Sequence, residues 1–338
     1  MTKAVRYHKT GGPEVLQLDD VPVGDPGQGQ VRVRHTAIGV NFIDTYQRSG
    51  LYPMQLPQVA GNEGAGVVEA VGPGVTSLKA GDHVAYTGQV GSYCGERLLP
   101  ADRVVKVPAG ISDEQAACMM LKGMTVQYLI HRTYPVKAGE TVLWHAAAGG
   151  VGQIACQWLK ALGVTVIGTV GSADKAKLAQ AHGAAHVIDY GKENFVERVK
   201  EITGGKKVPV VYDSVGKSTG KKVPVVYDSV GKSTWEGSLE CLQPLGLWVI
   251  FGNASGPVPP LNTQVLAQKG SLFMTRPTLQ TYIASRADLE ARSASLFDAV
   301  KSGKVKIEVS ARYKLADAAQ CHRDLEGRKT TGSVILTP

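Results

Sequence analysis

Small residues cluster in one turn near the middle of the chain, at Ala147, Gly149 and Gly152. Mostly apolar residues precede this turn at 141–144 and an amphipathic stretch follows it, which predicts a strand, a tight turn and a helix. This arrangement is the fingerprint of a dinucleotide site. The second glycine lets the backbone approach a pyrophosphate, and the third lets the helix pack closely on the strand. An alanine stands at the first glycine position. We predict that the turn binds a dinucleotide through Ala147, Gly149, Gly150, Val151 and Gly152.

The end of the next predicted strand, residues 164–169, distinguishes the two nicotinamide cofactors. NAD sites place a carboxylate there, about 20 residues beyond the turn, to bind the ribose hydroxyls. This sequence instead has Gly171, Ser172 and Lys175, a small, hydroxyl-bearing and cationic set that suits a 2′-phosphate. Asp174 is the counterargument, although a carboxylate in the first turn of a helix is favourable in its own right. We predict NADPH as the cofactor.

The composition is that of a globular protein. Of the 338 residues, 43% are hydrophobic and 20% are charged, and no apolar run of about 18 residues occurs, which excludes a transmembrane helix and a disordered or fibrous chain. The first residues lack the apolar stretch of a secretory signal. Five dispersed cysteines form no CxxC pair, so we predict neither a disulfide framework nor a cysteine zinc cluster. We expect a cytoplasmic location.

The net charge of +8 raises the question of a nucleic-acid partner. The lysines and arginines are spread along the chain and do not cluster with stacking aromatic residues, a pattern that disfavours nucleic acid. We expect the positively charged protein to bind an anionic small molecule.

Glycine separates two kinds of pattern along the chain. Between residues 11 and 95 it separates short β-rich runs, whose spacing predicts a barrel-like β domain. From about residue 139 the order becomes strand, glycine, helix and strand, which predicts a doubly wound parallel sheet. The last residues return through a helix at 288–302 to β-rich runs, so we expect the end of the chain to complete the first domain.

A tandem duplication interrupts the second pattern. Residues 205–219 and 220–234 have the same fifteen-residue sequence, which is too short and too few for a solenoid. We predict that only one copy fills one strand position of the sheet. The second copy is favoured because Ser233 or Thr234 can cap the helix that follows, and the first copy would then bulge out at the opposite edge.

The whole chain resembles the medium-chain dehydrogenase/reductase superfamily, and within it the zinc-independent NADPH:quinone oxidoreductases related to ζ-crystallin. Only the duplication departs from the resemblance. The motifs that carry it are residues 39–53 (GVNFIDTYQRSGLYP), 60–66 (AGNEGAG), 121–125 (LKGMT), 145–152 (HAAAGGVG), 251–256 (FGNASG) and 327–332 (GRKTTG).

The resemblance implies a two-domain α/β architecture and further cofactor contacts. A GroES-like β-barrel catalytic domain would span residues 1–124 and be completed by 282–338, and a Rossmann domain would span 125–281. Homodimers would form through an edge of the nucleotide-binding sheets. Tyr190 and Arg328 would approach the 2′-phosphate with Lys175, although Arg328 equally suits a solvated helix end. Residues after the later strands would line the cofactor, namely Ser229 (or Ser214, if the first copy fills the strand position), Phe251, Gly252 and Asn253.

The same comparison implies chemistry without a metal. The positions that hold zinc ligands in alcohol dehydrogenases correspond to Asn41, Asn62 and Leu121, which cannot supply the thiolate, imidazole and carboxylate ligands that a catalytic zinc takes. Hydride transfer to an electrophilic acceptor, a quinone or alternatively an α,β-unsaturated aldehyde or ketone, needs little beyond proximity and hydrogen bonds to a developing oxyanion. The resemblance places four residues at the nicotinamide and acceptor: Asn41, Tyr46, Tyr52 and Thr125. Either tyrosine is a candidate proton donor or only packs the wall of the site. A non-enzymatic NADPH- or RNA-binding protein is the remaining alternative.

Overall fold

In the computed structural model, the chain divides into two compact units. The first consists of Met1–Thr125 and Tyr282–Pro338, and the second of Val126–Thr281. The predicted domain boundaries, after residue 124 and before residue 282, lie beside these divisions. The structure describes residues 1–189, 191–193, 195–202, 210–213, 223–228, 231–232, 235–236, 239, 242–253, 256–327 and 329–338.

The first unit contains two β-sheets. Its strands are β1 (Thr2–Tyr7), β2 (Gln17–Val21), β3 (Gln30–Val40), β4 (Gln58–Val59), β5 (Glu63–Val71), β6 (His83–Thr87), β7 (Glu96–Pro100) and β8 (Val105–Lys106), with the last two strands of the chain, β16 (Val309–Lys314) and β17 (Ser333–Thr337). The smaller sheet has the order β2-β1-β4, and the larger has the order β16-β17-β3-β5-β6-β8 with β7 also paired to β3. Because β17 pairs antiparallel with β3, the end of the chain completes this sheet.

Alternating side chains explain why the strands of the larger sheet form. Val31, Val33 and His35 in β3 are buried, whereas Arg32 between the first two is half-buried and Arg34 between the last two is exposed. Successive side chains of a strand point to opposite faces, so this pattern buries one face of the sheet and leaves the other polar. The glycine spacing predicts a barrel-like β domain. The described residues of this unit form β-sheets, and neither sheet closes into a barrel.

Nine helices are described. They are α1 (Phe42–Ser49), α2 (Asp113–Tyr128), α3 (Gly150–Ala161), α4 (Ala173–Ala181), α5 (Phe195–Ile202), α6 (Gln264–Gln268), α7 (Leu279–Tyr282), α8 (Arg286–Lys301) and α9 (Ala318–Glu326). Short 3₁₀ turns lie at Pro13–Val15, Ala101–Arg103 and Leu315–Asp317, and a π-helical turn at Leu129–Thr133 extends α2. None of the helices in the described ranges has the length and apolar character needed to cross a membrane.

The second unit is built on one parallel sheet. Its strands are β9 (Thr141–Trp144), β10 (Thr165–Val170), β11 (His186–Asp189), β12 (Val210–Asp213), β13 (Val223–Asp228), β14 (Leu242–Ile250) and β15 (Phe273–Thr275). Their order is β11-β10-β9-β12-β13-β14-β15, and every neighbouring pair is parallel. The predicted doubly wound parallel sheet is confirmed.

The prediction that only one copy of the duplicated segment enters the sheet is wrong. The first copy supplies β12, which pairs with β9, and the second supplies β13, which pairs with β14. The two strands also pair with each other in parallel, so Val210 lies opposite Val225 and Asp213 opposite Asp228. Identical strands have identical hydrogen-bonding edges, and a parallel sheet can therefore accept both. Ser233 and Thr234, the predicted helix caps, lie outside the described residues.

Candidate functional site

The turn after β9 has the backbone of a dinucleotide fingerprint. Ala146 adopts a positive φ of 49°, and the Gly149 N–H donates to the Ala146 carbonyl at 2.8 Å. Gly149 is the N-cap of α3. The N–H groups in the first turn of this helix, as of any helix, have no intrahelical acceptors. A Cβ at Gly152 would collide with the carbonyl oxygens of Ala146 and Ala147, so only glycine permits this close approach of helix and strand. The predicted residues 147 and 149–152 therefore lie together around one helix N-terminus, where an anion is favoured.

The alanine at the first glycine position is matched by a glycine on the neighbouring strand. Ala147 is fully buried, and a Cβ placed on Gly168 of β10 would lie 2.7 Å from the Ala147 Cβ. The methyl group of Ala147 thus fills the space that Gly168 leaves open. This pairing explains how the turn keeps its geometry with one glycine fewer.

The end of β10 presents the residues that favour NADPH. Ser172 caps α4, and its hydroxyl oxygen accepts from the Lys175 N–H at 3.4 Å. Lys175 is half-buried, and within the described part of the chain no carboxylate lies at ion-pair distance from its ammonium group. Asp174, the residue that argues for NAD, is exposed and lies 4.0 Å from Lys177 instead. A cation without a carboxylate partner beside a small glycine and a serine fits a 2′-phosphate.

A second loop of the unit follows β14. Gly252 is buried and its carbonyl accepts from the Arg276 guanidinium at 3.2 Å. Phe251 and Asn253 on either side are half-buried. The N–H of Lys232, after β13, donates to the Gly256 carbonyl at 3.0 Å and joins this loop to the end of the preceding strand. Four predicted cofactor contacts, Tyr190, Ser229, its alternative Ser214 and Arg328, lie outside the described residues.

His145, inside the fingerprint, belongs to the core of the second unit. Its Nδ1 lies 2.9 Å from the Thr169 hydroxyl, and its ring makes an edge contact with Phe195 at 5.2 Å between centroids. Burial lowers the pKa of His145 to about 3. A neutral, enclosed imidazole with these partners stabilises the strand and does not act as an acid at neutral pH.

Asn41 lies where β3 meets α1, in the first unit. It is the N-cap of that helix and is buried. Its backbone N–H donates to the Asp44 carboxylate at 2.8 Å, and its side-chain Nδ2 donates to Glu63 Oε1 at 2.7 Å. Both the backbone and the carboxamide of Asn41 are therefore fixed by buried carboxylates.

Glu63 is the centre of this arrangement and was not predicted as a functional residue. Its side chain is fully buried, and it accepts from the Leu121 N–H at 2.7 Å and from the Lys122 ammonium at 3.4 Å as well as from Asn41. Lys122 also donates to the Val40 carbonyl at 3.2 Å. One carboxylate thus joins the end of β3, the start of β5 and the middle of α2. The motif Gly61-Asn62-Glu63 and the motif at 121–125 held the signal, but their contact joins residues far apart in the sequence.

The residues at the three positions that correspond to zinc ligands form hydrogen bonds within the protein. Asn41 and Leu121 both donate to Glu63. Asn62 donates through Nδ2 to Asp44 and to Gln47, each at 2.7 Å. Among the described residues no group of three or more histidine, cysteine and acidic side chains is placed to hold a metal ion.

A second buried chain of hydrogen bonds starts from Asp44. Arg48 Nη1 lies 3.0 Å from His322 Nδ1, and Tyr93 lies 3.1 Å from His322 Nε2 and 2.9 Å from Asp44. A guanidinium only donates, so His322 accepts at Nδ1, donates at Nε2 to Tyr93, and Tyr93 donates to Asp44. Burial raises the pKa of Asp44 to about 6, whereas burial and then Arg48 lower the pKa of His322 to about 3.

The two predicted aromatic residues, Tyr46 in α1 and Tyr52 after it, contact each other. The rings of Tyr46 and Tyr52 meet edge to face with centroids 5.5 Å apart, and Phe42, which is exposed, lies 6.5 Å from Tyr46. Thr125 connects to the site through α2: its hydroxyl donates to the Leu121 carbonyl at 2.8 Å. Because that proton is already engaged, the oxygen of Thr125 is better suited to accept a hydrogen bond than to donate one.

Comparison with known proteins covers both units. Residues 27–130 match the family described as alcohol dehydrogenase GroES-like domain, and residues 150–220 and 217–336 match two described as zinc-binding dehydrogenase. A quinone oxidoreductase of Pseudomonas aeruginosa is 53% identical over all of both chains. A 2-haloacrylate reductase of a Burkholderia species is 46% identical over the whole of this chain and 99% of the relative. The crystal structure of the Escherichia coli quinone oxidoreductase complexed with NADPH superposes with a TM-score of 0.92, at 50% identity, over 99% of this chain and 100% of that chain.

Proposed function

Since this chain belongs to the quinone oxidoreductase family of the medium-chain dehydrogenase/reductase superfamily, we propose that it transfers hydride from NADPH to a quinone at a site without a metal. The observation that carries the proposal is the combination of the fingerprint turn at 147–152 with the half-buried Lys175, which has no carboxylate partner among the described residues. NADPH supplies the hydride when it is bound. The protein binds and orients the two reactants and stabilises charge on the acceptor oxygen.

The second unit supplies the cofactor contacts. The N–H groups at the start of α3 bind the pyrophosphate, and Gly149, Gly150, Val151 and Gly152 allow its close approach. Gly171, Ser172 and Lys175 bind the 2′-phosphate. Phe251, Gly252 and Asn253 line the nicotinamide half. As the family resemblance implies, Tyr190 and Ser229 complete this set. Arg328, which belongs to the first unit, is one further contact that the resemblance implies.

The first unit supplies the acceptor contacts. Glu63 takes one N–H of the Asn41 carboxamide, which leaves the second N–H in a fixed orientation for a substrate or cofactor oxygen. Tyr46 and Tyr52 provide an aromatic wall for a flat quinone ring, and one of the two hydroxyls delivers the proton that accompanies reduction. Thr125 accepts a hydrogen bond, such as one from a carboxamide N–H. Its own hydroxyl proton is held by the Leu121 carbonyl.

Independence from zinc follows from the residue types at the ligand positions. The three ligand positions hold Asn41, Asn62 and Leu121. The side-chain amides of the two asparagines donate hydrogen bonds to buried carboxylates. A catalytic zinc takes about three ligands from cysteine, histidine or carboxylate. The family description "zinc-binding dehydrogenase" therefore fits the fold of this chain and not its donor set. Oxidation of an alcohol, which needs a metal or a base to form the alkoxide, is disfavoured.

Reduction of an activated carbon–carbon double bond is the second candidate. The 2-haloacrylate reductase, at 46% identity, favours it by name. Quinone oxidoreductases of Pseudomonas aeruginosa and Escherichia coli, at 53% and 51%, favour the quinone more strongly. Both reactions place hydride on an electrophile that needs no metal.

The proposal extends to the assembly and the location of the protein. Three apolar side chains near the end of the sheet in β14 and β15 are exposed: Leu245 by 68%, Phe273 by 59% and Met274 by 49%. A pair of such sheets, brought together at β15 in a homodimer, would cover them. The dispersed cysteines favour the cytoplasm. A small-molecule acceptor is the substrate partner, and nucleic acid is disfavoured.

A panel of acceptors tests the proposed reaction. Oxidation of NADPH is followed with 1,4-benzoquinone, with 9,10-phenanthrenequinone, with a 2-enal and with 2-chloroacrylate. The quinone assignment predicts the highest kcat/KM for one of the quinones. A clear preference for 2-chloroacrylate or the enal would move the assignment to the double-bond reductases, and failure of every acceptor despite NADPH binding would favour a binding protein.

A further inference from the structure

The duplicated segment changes the strand order of the nucleotide-binding sheet. A doubly wound dinucleotide fold has the order 3-2-1-4-5-6. Here β11, β10 and β9 stand for strands 3, 2 and 1, β12 for strand 4, and β14 and β15 for strands 5 and 6. The additional strand, β13, lies between the fourth and the fifth.

The strand pairing shows that each copy makes one of the two pairings that a single strand would make. Tyr212 of the first copy lies opposite Trp144 of β9. Tyr227, the same residue in the second copy, lies opposite Val249 of β14. A single copy has two edges and would make both pairings at once. Each copy instead uses one of these edges, and the remaining edges pair the copies with each other.

The insertion separates the two halves of the cofactor site. Neighbouring strands lie about 4.8 Å apart, so the loop after β14 is about 4.8 Å farther from the fingerprint strand than it would be beside a single copy. The hydrogen bonds from Lys232 to Gly256 and from Arg276 to Gly252 bind this loop to β13 and β15. The loop is therefore displaced together with that part of the sheet.

The adenosine half lies on the other side of the insertion. The fingerprint turn follows β9, and Ser172 and Lys175 follow β10. These two strands pair directly, with Gly168 opposite Trp144, and no inserted strand separates them. The pyrophosphate and 2′-phosphate contacts are consequently the same with one copy or two.

We propose that the duplication uncouples the two halves of the NADPH site, so that this chain binds the adenosine half normally while the contacts of Phe251–Asn253 to the nicotinamide half are displaced. The proposal rests on the proposed function. Hydride transfer depends steeply on position, and a misplacement of about 1 Å can cost about a hundredfold in rate. The chain with both copies is a slow quinone reductase, and loss of one copy restores the rate.

Removal of one copy tests this proposal cleanly. Because the copies are identical, deletion of residues 205–219 or of 220–234 produces the same shorter chain. Both chains are titrated with adenosine 2′,5′-bisphosphate and with NADPH by calorimetry, and the fluorescence of the bound reduced nicotinamide is recorded. The proposal predicts equal affinity for the bisphosphate, tighter NADPH binding with a changed nicotinamide spectrum in the shorter chain, and a kcat/KM for benzoquinone that is at least about tenfold higher.

Other outcomes overturn the proposal in distinguishable ways. Equal NADPH affinity, equal fluorescence and equal turnover in the two chains would refute the uncoupling and leave the proposed function intact. Failure of both chains to bind the bisphosphate would overturn the proposed function and this proposal with it. Should the shorter chain fail to fold, Val211→Pro in the full-length chain provides a second test, because it removes a backbone donor from the first copy. If the proposal is correct, this variant must show the same gain in kcat/KM for benzoquinone.

Discussion

Replacement of Lys175 by alanine isolates the contact that distinguishes NADPH from NADH. Lys175 is a half-buried residue at the start of α4, and its backbone N–H donates to the Ser172 hydroxyl oxygen. Among the described residues no carboxylate lies at ion-pair distance from its ammonium group. A charge-assisted hydrogen bond to a phosphate contributes about 1.5–3 kcal/mol, which corresponds to roughly 10- to 150-fold in affinity. Steady-state kinetics with 1,4-benzoquinone should therefore show a KM for NADPH raised by roughly this factor and an unchanged KM for NADH.

Lys177 provides a matched control on the same helix. Its side chain is 81% exposed and lies 4.0 Å from Asp174, and an exposed pair of this kind contributes little. Lys177→Ala should leave both constants unchanged, whereas Lys175→Arg should retain most of the preference for NADPH because it keeps the charge. Equal effects of Lys175→Ala on NADPH and NADH would refute the assignment of the 2′-phosphate to this residue.

Three further substitutions test the geometry of the two units. Lys122→Met leaves the Glu63 carboxylate buried without its cation and should lower the free energy of unfolding in urea by about 3–5 kcal/mol; an unchanged midpoint would contradict the buried pair. The raised pKa of Asp44 means that its protonated form stabilises the fold below pH of about 4 and that this contribution is lost as the pH rises to about 6 and above. Between about pH 4 and pH 7 the wild type should lose about 2 kcal/mol relative to Asp44→Asn, and a pH-independent difference would count against the buried carboxyl. Gly152→Ala introduces a methyl group against the carbonyl oxygen of Ala146 and should abolish measurable NADPH binding in calorimetry, while unchanged affinity would contradict the close approach of helix and strand.

The parallel sheet and its nucleotide turn could be predicted from the sequence because their signals are local. The strand, the small residues Ala147, Gly149 and Gly152 and the following helix are contiguous, and sterics alone require the last glycine. The compensation of Ala147 by Gly168 could not be seen in the same way, since it depends on which strand lies beside β9.

The position of the duplicated segment was predicted wrongly for a physical reason. The expectation assumed that a fold has a fixed number of strand positions. Parallel pairing depends on backbone edges, and β12 and β13 have the same sequence and therefore pair in register. Local sequence does not decide between a bulged copy and an added strand.

The hydrogen-bond centre at Glu63 shows the other limit of sequence reasoning. Asn41 was identified by its family motif, but the carboxylate that fixes it and the lysine that neutralises that carboxylate come from β5 and α2. By its residue type alone, Lys122 could form hydrogen bonds at a helix end as readily as neutralise a buried carboxylate. Only the packing of three elements around one fully buried carboxylate distinguishes the two. The proton of Thr125 is held locally, by the Leu121 carbonyl one turn earlier in α2.

Turnover in the presence of a chelator tests whether the protein transfers hydride from NADPH to a quinone without a metal. Oxidation of NADPH by 1,4-benzoquinone is followed in the presence of a strong chelator, with NADH as the alternative donor. The full chain is compared with the chain that lacks residues 205–219, one of the two copies. We predict turnover that resists the chelator, that prefers NADPH, and that is faster in the shorter chain. Turnover that requires added zinc, that prefers NADH, or that is absent from both chains would contradict metal-free hydride transfer from NADPH to a quinone.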